Sequence, residues 1–211
     1  LTDFLPIQER IMPKIIAKPY WYLRHGETDW NARGLSQGRT DIPLNSTGLA
    51  QAARAGAALA AFFQNGHAPF DRIVASPLTR ALVTAEYARD AIRDGGGPDL
   101  PLTIDPELQE VCFGVQEGEP MGTWYDPWIE DGMTPEGAEP FAELRARAVT
   151  AINRELKRDG VPLFVAHGAL FRGLRSGMGL PVNVRLANAT PMHLKPSPEG
   201  WEIEIHNITG A

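Results

Sequence analysis

Apolar residues fall in short blocks along the chain, and the spacing inside each block differs from one to the next. "YWYL" at 20–23, "RIVA" at 72–75 and "VPLFVAH" at 161–167 are near-continuous apolar runs of strand length, the pattern of strands covered on both faces. Between them the period lengthens. "STGLAQAARAGAALAAFF" at 46–63 carries an Ala-rich apolar stripe with Ser46 or Thr47 as candidate N-caps. "SPLTRALVTAEYARDAI" at 76–92 offers Ser76 as N-cap and Pro77 as first helical residue. "AELRARAVTAINREL" at 142–156 is a helix by propensity and periodicity, and "GALFRGLRSGM" at 168–178 is a shorter one. "LTID" at 102–105 reads as a further strand, and "MHLKP" at 192–196 pairs with "WEIEIHNI" at 201–208 as a hairpin. Gly, Ser, Asp and Pro mark 33–45 as a loop.

Strands alternating with helices predict a three-layer α/β/α fold, with a mostly parallel sheet, helices on both faces and a small inserted cap. The expected organisation is an N-terminal extension over 1–18 that packs against or covers the rest. A single domain follows over 19–211, with the cap at about 111–142, a stretch rich in Gly, Pro, Trp and acid. No internal repeat is visible.

Length and charge narrow the functional classes. A chain of 211 residues, 43% of them hydrophobic, can bury one sizeable core. Its net charge of −6 argues against a broad nucleic-acid surface. The longest apolar run, 55–63, is too short to cross a bilayer, and the first residues lack a secretory pattern, so the expected location is the cytoplasm. Cys112 is the lone cysteine, and no intramolecular disulfide can form. The residue at the C-x5-R spacing from it is Gly118, which excludes a cysteine-phosphatase loop. Neither a P-loop nor an H-E-x-x-H motif occurs, and neither a metal nor an organic cofactor is expected. Asn45, Asn188 and Asn207 stand in N-x-S/T triplets, read as chance matches.

Two of the expected strands end in His-Gly: "YLRHG" and "FVAHG". Ligands of open α/β folds sit at the carboxyl ends of strands, which puts His25 and His167 at a candidate site. Arg24 adjoins His25, and Arg80 lies near the start of the helix after a third strand. Two cations and two imidazoles would converge on an anion, most simply a phosphoryl group. The arginines would repel a metal ion and disfavour protonation of His25, leaving a neutral imidazole that can act as nucleophile. A departing alkoxide needs a proton, and Glu110 in "LQEVCFG" supplies a carboxyl among apolar neighbours. His67, His193 and His206 lie outside these motifs and read as structural or exposed.

"RHGETDWN", "QGRTDIPLNSTGLAQA", "SPLTRALVTA", "LQEVCFGVQEG" and "VAHG", in that order, resemble the histidine phosphatase superfamily, which includes cofactor-dependent phosphoglycerate mutases and many phosphatases. The resemblance runs from about Tyr20 to Asn207. It implies that His25 is the phosphorylated nucleophile, that Arg24, Arg80 and His167 hold the phosphoryl group, and that Glu110 is the proton donor. Asn31, Gln37, Gly38, Thr28 and Gly168 would contact phosphate or substrate. The implied activity is metal-independent hydrolysis of a small organic phosphate, as in the histidine acid phosphatases. The alternatives are a mutase-type phosphotransferase and a non-catalytic member that binds a phosphorylated ligand.

Three features favour hydrolysis. Phe113 stands where the family has Tyr, and Ala169 where its mutases have Asn. Residues 94–144 hold 13 Asp and Glu without a Lys or Arg. An acidic cap would repel a highly charged donor, so the leaving group is expected to be neutral or weakly charged, with Trp124, Tyr125 and Trp128 available to stack on it. Arg33, Arg39, Arg172 and Arg175, outside the cap, are the sources of positive charge that would alter this.

Overall fold

The computed structural model describes residues 14–64 and 67–206. Its centre is a six-stranded sheet built from β1 (Tyr20–Arg24), β2 (Arg72–Ala75), β3 (Leu102–Ile104), β4 (Pro162–Ala166), β5 (Pro191–Ser197) and β6 (Gly200–Ile205), in the order β3-β2-β4-β1-β5-β6. The first four in that order run parallel, and β5 and β6 are antiparallel additions at one edge. β1, β2 and β4 are almost entirely buried, as their near-continuous apolar runs require.

Alternation along each strand divides the core in two. Trp21, Leu23, Ile73, Leu163 and Val165 face α2 (Ser46–Ala61) and α3 (Thr79–Asp94). Tyr20, Tyr22, Val74, Phe164 and Ala166 face α5 (Phe141–Leu156) and α6 (Gly168–Gly177). The three layers expected from the pattern are therefore present. Ile15 enters the second core, and the Asn153 side chain holds Lys14 and Ile16 by their backbone groups. The rest of the expected N-terminal extension, residues 1–13, lies outside the described residues, as do Asn207 and Ile208 of the hairpin.

Two helix starts differ from expectation. α2 is capped by Asn45, whose Oδ1 accepts from Gly48 N at 2.8 Å, so neither Ser46 nor Thr47 is the cap. α3 begins at Thr79, with Leu78 at the cap. Ser76 is instead the residue just past β2, where its hydroxyl meets His167, and Pro77 stays outside the helix. The loop at 33–45 is preceded by a one-turn helix, α1 (Asp29–Ala32), too short for a periodic signal.

Between β3 and α5 the chain makes two 3-10 turns and the short α4 (Tyr125–Ile129). Phe113, Tyr125, Trp128 and Phe141 pack ring to ring here, with centroids 5.2 to 6.0 Å apart. Trp128 is fully buried and its indole donates to Glu139 O, which makes it a core residue of this segment rather than a stacking surface. Among the described residues, no helix is long and apolar enough to cross a membrane.

Candidate active site

β2, β4 and β1 are neighbours in the sheet and run parallel, so their carboxyl ends emerge side by side. Those ends deliver Ser76, His167 and the Arg24–His25 pair to one place. A cavity of about 460 Å³ opens there, lined by Arg24, His25 and Arg80 with Glu110 opposite. His167 is fully buried beside it, its ring 5.2 Å from that of His25. The five charged or imidazole residues singled out in the sequence thus converge.

Backbone bonds fix His25. Its N–H donates to Ala166 O, and its own carbonyl accepts from Asn188 Nδ2 and Ala189 N. Nδ1 lies 2.6 Å from Gly26 O, which makes Nδ1 the protonated nitrogen and leaves the Nε2 lone pair free. Gly26 has no room for a side chain, since a Cβ there would sit 2.5 Å from Gly48 O. Burial and then the Arg80 and Arg24 charges hold the pKa of His25 well below that of a free histidine. His167 is lowered in the same way, by burial, Arg80 and His25. Its Nε2 lies 2.7 Å from Ser76 Oγ, while Tyr22 clasps its backbone by accepting from His167 N and donating to His167 O. Both imidazoles are neutral near pH 7.

Arg80 is fully buried as the second residue of α3, not one turn in as the Ser76 start implied. Its guanidinium donates to Gly38 O and Thr40 O at 2.7 and 2.9 Å. The loop offering those carbonyls is braced by Glu117, which accepts from Arg39 N, Thr40 N, the Thr40 hydroxyl and Phe113 N. Gly38 has φ +55°, and a Cβ there would meet Glu117 Oε1 at 2.1 Å. Arg24 donates to Leu186 O. The Nε atoms of Arg24 and Arg80, like Nδ1 of His167, are buried without a protein partner. Burial lowers the Arg24 pKa to about 10, with Glu110 opposing and Arg172 and Arg185 reinforcing.

Glu110 sits at the N-terminus of α6. Oε1 accepts from Val111 N and Leu170 N, and Oε2 from Ala169 N alone, which leaves Oε2 the freer oxygen for exchange with a ligand. Asn31, Gln37, Gly38 and Gly168 also line the cavity. Thr28 does not: it is fully buried as the cap of α1, accepting from Asn31 N and donating to Gln37 Oε1 at 2.8 Å. It orients Gln37 rather than touching the cavity.

The acidic segment turns out differently from its composition. Of its carboxylates only Glu110 lines the cavity. Glu139 pairs with Arg147 and Arg39, Asp105 with Arg154 and Asp131 with Arg145, and Glu117 is consumed by backbone groups. The segment presents Phe113, Met121 and Tyr125 instead. Any repulsion of a charged donor therefore does not come from carboxylates of this segment on the cavity wall, Glu110 aside. Trp124 does not line the cavity either, and Tyr125 is the only one of the three expected stacking rings that does. Arg172 and Arg185 add cationic walls, while Glu27 and Asn188 complete the lining. Arg185 and Asn188 carry no motif that would have marked them, and only the fold brings them here; Glu27 and Ser76 stand inside "RHGETDWN" and "SPLTRALVTA", but nothing in those motifs puts Glu27 on the cavity wall or sets Ser76 against His167.

The chain is 34% identical over 193 residues to the uncharacterised phosphatase PhoE of Bacillus subtilis, covering 88% of this chain and 92% of that one. It is 32% identical over 206 residues to the probable phosphoglycerate mutase GpmB of Proteus mirabilis, covering 87% and 90%. The solved structure of a mycobacterial glucosyl-3-phosphoglycerate phosphatase complexed with VO3 superposes with a TM-score of 0.72 at 25% identity, over 90% of this chain and 98% of that one. The model of the histidine phosphatase superfamily, branch 1, matches residues 20–209, and with these relatives it shows that the chain belongs to that family.

Proposed function

We propose that the protein is a metal-independent phosphomonoesterase that hydrolyses a small organic phosphate through a phosphohistidine on His25. The observation that carries this is the His25 ring, with Nδ1–H spent on Gly26 O, its protonation suppressed, and Nε2 free in a cavity shared with two unpaired guanidiniums.

In the first step Nε2 attacks phosphorus while the P–O bond to the leaving group breaks. Arg24, Arg80 and His167 hold the equatorial oxygens, and the leaving alkoxide takes the proton from Glu110. Phosphorylation makes the ring cationic, and the Gly26 carbonyl steadies the Nδ1–H of that cation. In the second step water attacks phosphorus, Glu110 takes its proton, the N–P bond breaks, and orthophosphate leaves. Asn31, Gln37, Gly38 and Gly168 line the approach, and residues 111–142 act as a cap on the leaving-group side.

The test is release of 4-nitrophenol from 4-nitrophenyl phosphate between pH 5 and 8 in excess EDTA, for the wild type and His25→Ala. EDTA-resistant turnover lost in the variant is expected. Activity that EDTA removes but the substitution spares would overturn the proposal.

One observation favours a second reading, a mutase-type phosphotransferase: Arg172 and Arg185 supply cations beside the phosphate pocket from outside the acidic segment. Conversion of 3-phosphoglycerate to its 2-isomer faster than release of orthophosphate would establish that reading instead.

A further inference from the structure

His25 and His167 stand just past the ends of neighbouring strands, both buried and both uncharged near pH 7, with their rings 5.2 Å apart. A neutral imidazole carries one N–H and one lone pair, so the partner of one nitrogen decides what the other offers. Gly26 O can only accept; it takes the Nδ1–H of His25 and leaves that ring a lone pair at Nε2. Ser76 Oγ, 2.7 Å from His167 Nε2, can donate or accept, and the tautomer of His167 turns on which it does.

The other bonds of the Ser76 hydroxyl decide the matter. Leu78 N donates to Oγ at 3.3 Å and fills one lone pair. Among the described residues, the Oγ proton has no acceptor other than His167 Nε2. If Nε2 carried the ring proton, two buried groups would go unmet: the Ser76 O–H and the lone pair of His167 Nδ1. If Ser76 donates, Oγ and Nε2 are both satisfied and one group remains, an Nδ1–H without a protein partner. β4 lies between β2 and β1, so His167 is flanked by Ser76 on one side and His25 on the other. Nε2 is spent on the Ser76 side, and Nδ1–H is what the ring has left for a ligand.

Ser76 acts on this ring rather than on the chain that carries it. The His167 backbone is held separately by the Tyr22 hydroxyl, which accepts from its N–H at 3.1 Å and donates to its carbonyl at 2.7 Å. We propose that Ser76 is a positioning residue: by donating to Nε2 it holds His167 as the Nδ1–H tautomer, so that this imidazole presents a proton to the transferred phosphoryl group while His25 presents a lone pair. The two rings are then the same tautomer with opposite nitrogens spent, and a carbonyl beside one and a hydroxyl beside the other divide nucleophile from donor. The inference rests on the phosphohistidine reading above.

Ring ¹⁵N resonances of the ligand-free, ¹⁵N-labelled full chain at pH 7.5 report the tautomer, with His167 assigned by its loss in His167→Gln. A pyrrole-type Nδ1 and a pyridine-type Nε2 are expected at His167, and Ser76→Ala should bring in the reversed pattern. Affinity for inorganic phosphate, by titration calorimetry, should fall by about tenfold in Ser76→Ala and by less than about threefold in Ser76→Thr, which keeps the hydroxyl. On a His167→Ala background, Ser76→Ala should cost less than about twofold, because the ring it orients is gone. A pyridine-type Nδ1 at His167 in the wild type would overturn the proposal. So would a folded Ser76→Ala protein, checked by its urea midpoint, that keeps the wild-type pattern or binds phosphate within about twofold of the wild type. If Ser76→Ala does not fold, the wild-type pattern and the Ser76→Thr affinity decide. Release of 4-nitrophenol by the wild type reports separately on the phosphatase reading. The expected ring pattern and phosphate affinities in a protein without turnover would leave the positioning role standing and remove the reading it began from.

Discussion

The inner end of the cavity and its outer wall are held by different kinds of structure. Arg24, His25 and Arg80 belong to strand ends and a helix start, and their bonds run to backbone: Leu186 O, Gly26 O, Gly38 O and Thr40 O. Tyr125, Arg172 and Arg185 belong to a short helix, the exposed side of α6 and the loop before β5, and their one internal bond joins two side chains. A backbone-held group cannot be moved without moving the strand end or loop it is tied to, whereas a wall of side chains can change one residue at a time. The first arrangement suits a reaction that requires fixed geometry, the second a leaving group that differs among relatives.

That contrast predicts unequal sensitivities. His25→Ala should lower kcat/KM on any phosphomonoester by on the order of 10³ or more, because no other group replaces the nucleophile. If His25→Ala retains activity on 4-nitrophenyl phosphate, the inner end is not where the chemistry happens. Arg80→Ala should cost about 10² to 10³ in kcat/KM, equally for charged and uncharged leaving groups, since it removes a donor to the transferred group. A loss confined to charged substrates would put Arg80 in the wall instead.

Gly38→Ala acts one step removed. Its left-handed φ and the close approach of Glu117 should displace the loop that holds Arg80, lowering kcat/KM by about tenfold and folding stability by about 1 to 3 kcal/mol. Urea midpoints alongside kinetics check both. Glu117→Gln should weaken the same brace more mildly, and a Glu117→Gln protein with full activity would show that the loop is held by Arg80 alone.

The smallest effect concerns pH. His25 and His167 stay neutral in the folded protein well below the pH at which they protonate in the unfolded chain, about 6.5. The unfolded chain then binds the extra protons, so stability is greatest above about 6.5 and falls as pH drops below it, by up to about 1.4 kcal/mol per pH unit for each histidine. Half-buried His193 at the sheet edge is lowered too and adds to the same slope. Urea midpoints at pH 7.5, 6.5 and 5.5 should therefore decline, and His25→Ala should flatten the decline. An unchanged slope would mean that the cavity histidines are not the groups responsible.

The inner end could be read from the sequence because each of its residues follows a strand or opens a helix, and a short contiguous motif encodes that position. The wall could not. Arg172 appeared only as one of several arginines outside the acidic segment, and Arg185 and Asn188 sit in a stretch with no periodicity. The acidic segment misled for a physical reason: composition counts carboxylates but not their partners, and Arg39, Arg145, Arg147 and Arg154, all outside the segment, pair with Glu139, Asp131 and Asp105 away from the cavity. Ser76 was assigned to the wrong task because a serine before proline satisfies the rules for a helix cap equally well as a strand end that hydrogen-bonds a histidine.

The most direct measurement is to trap the covalent intermediate. Wild-type protein mixed with a ³²P-labelled phosphomonoester, quenched in alkali within milliseconds and digested, should carry the label on the peptide containing His25, acid-labile and alkali-stable. The label should be absent from His25→Ala. Label on another residue, or turnover with no labelled protein at any quench time, would contradict the central claim that His25 is the group phosphorylated.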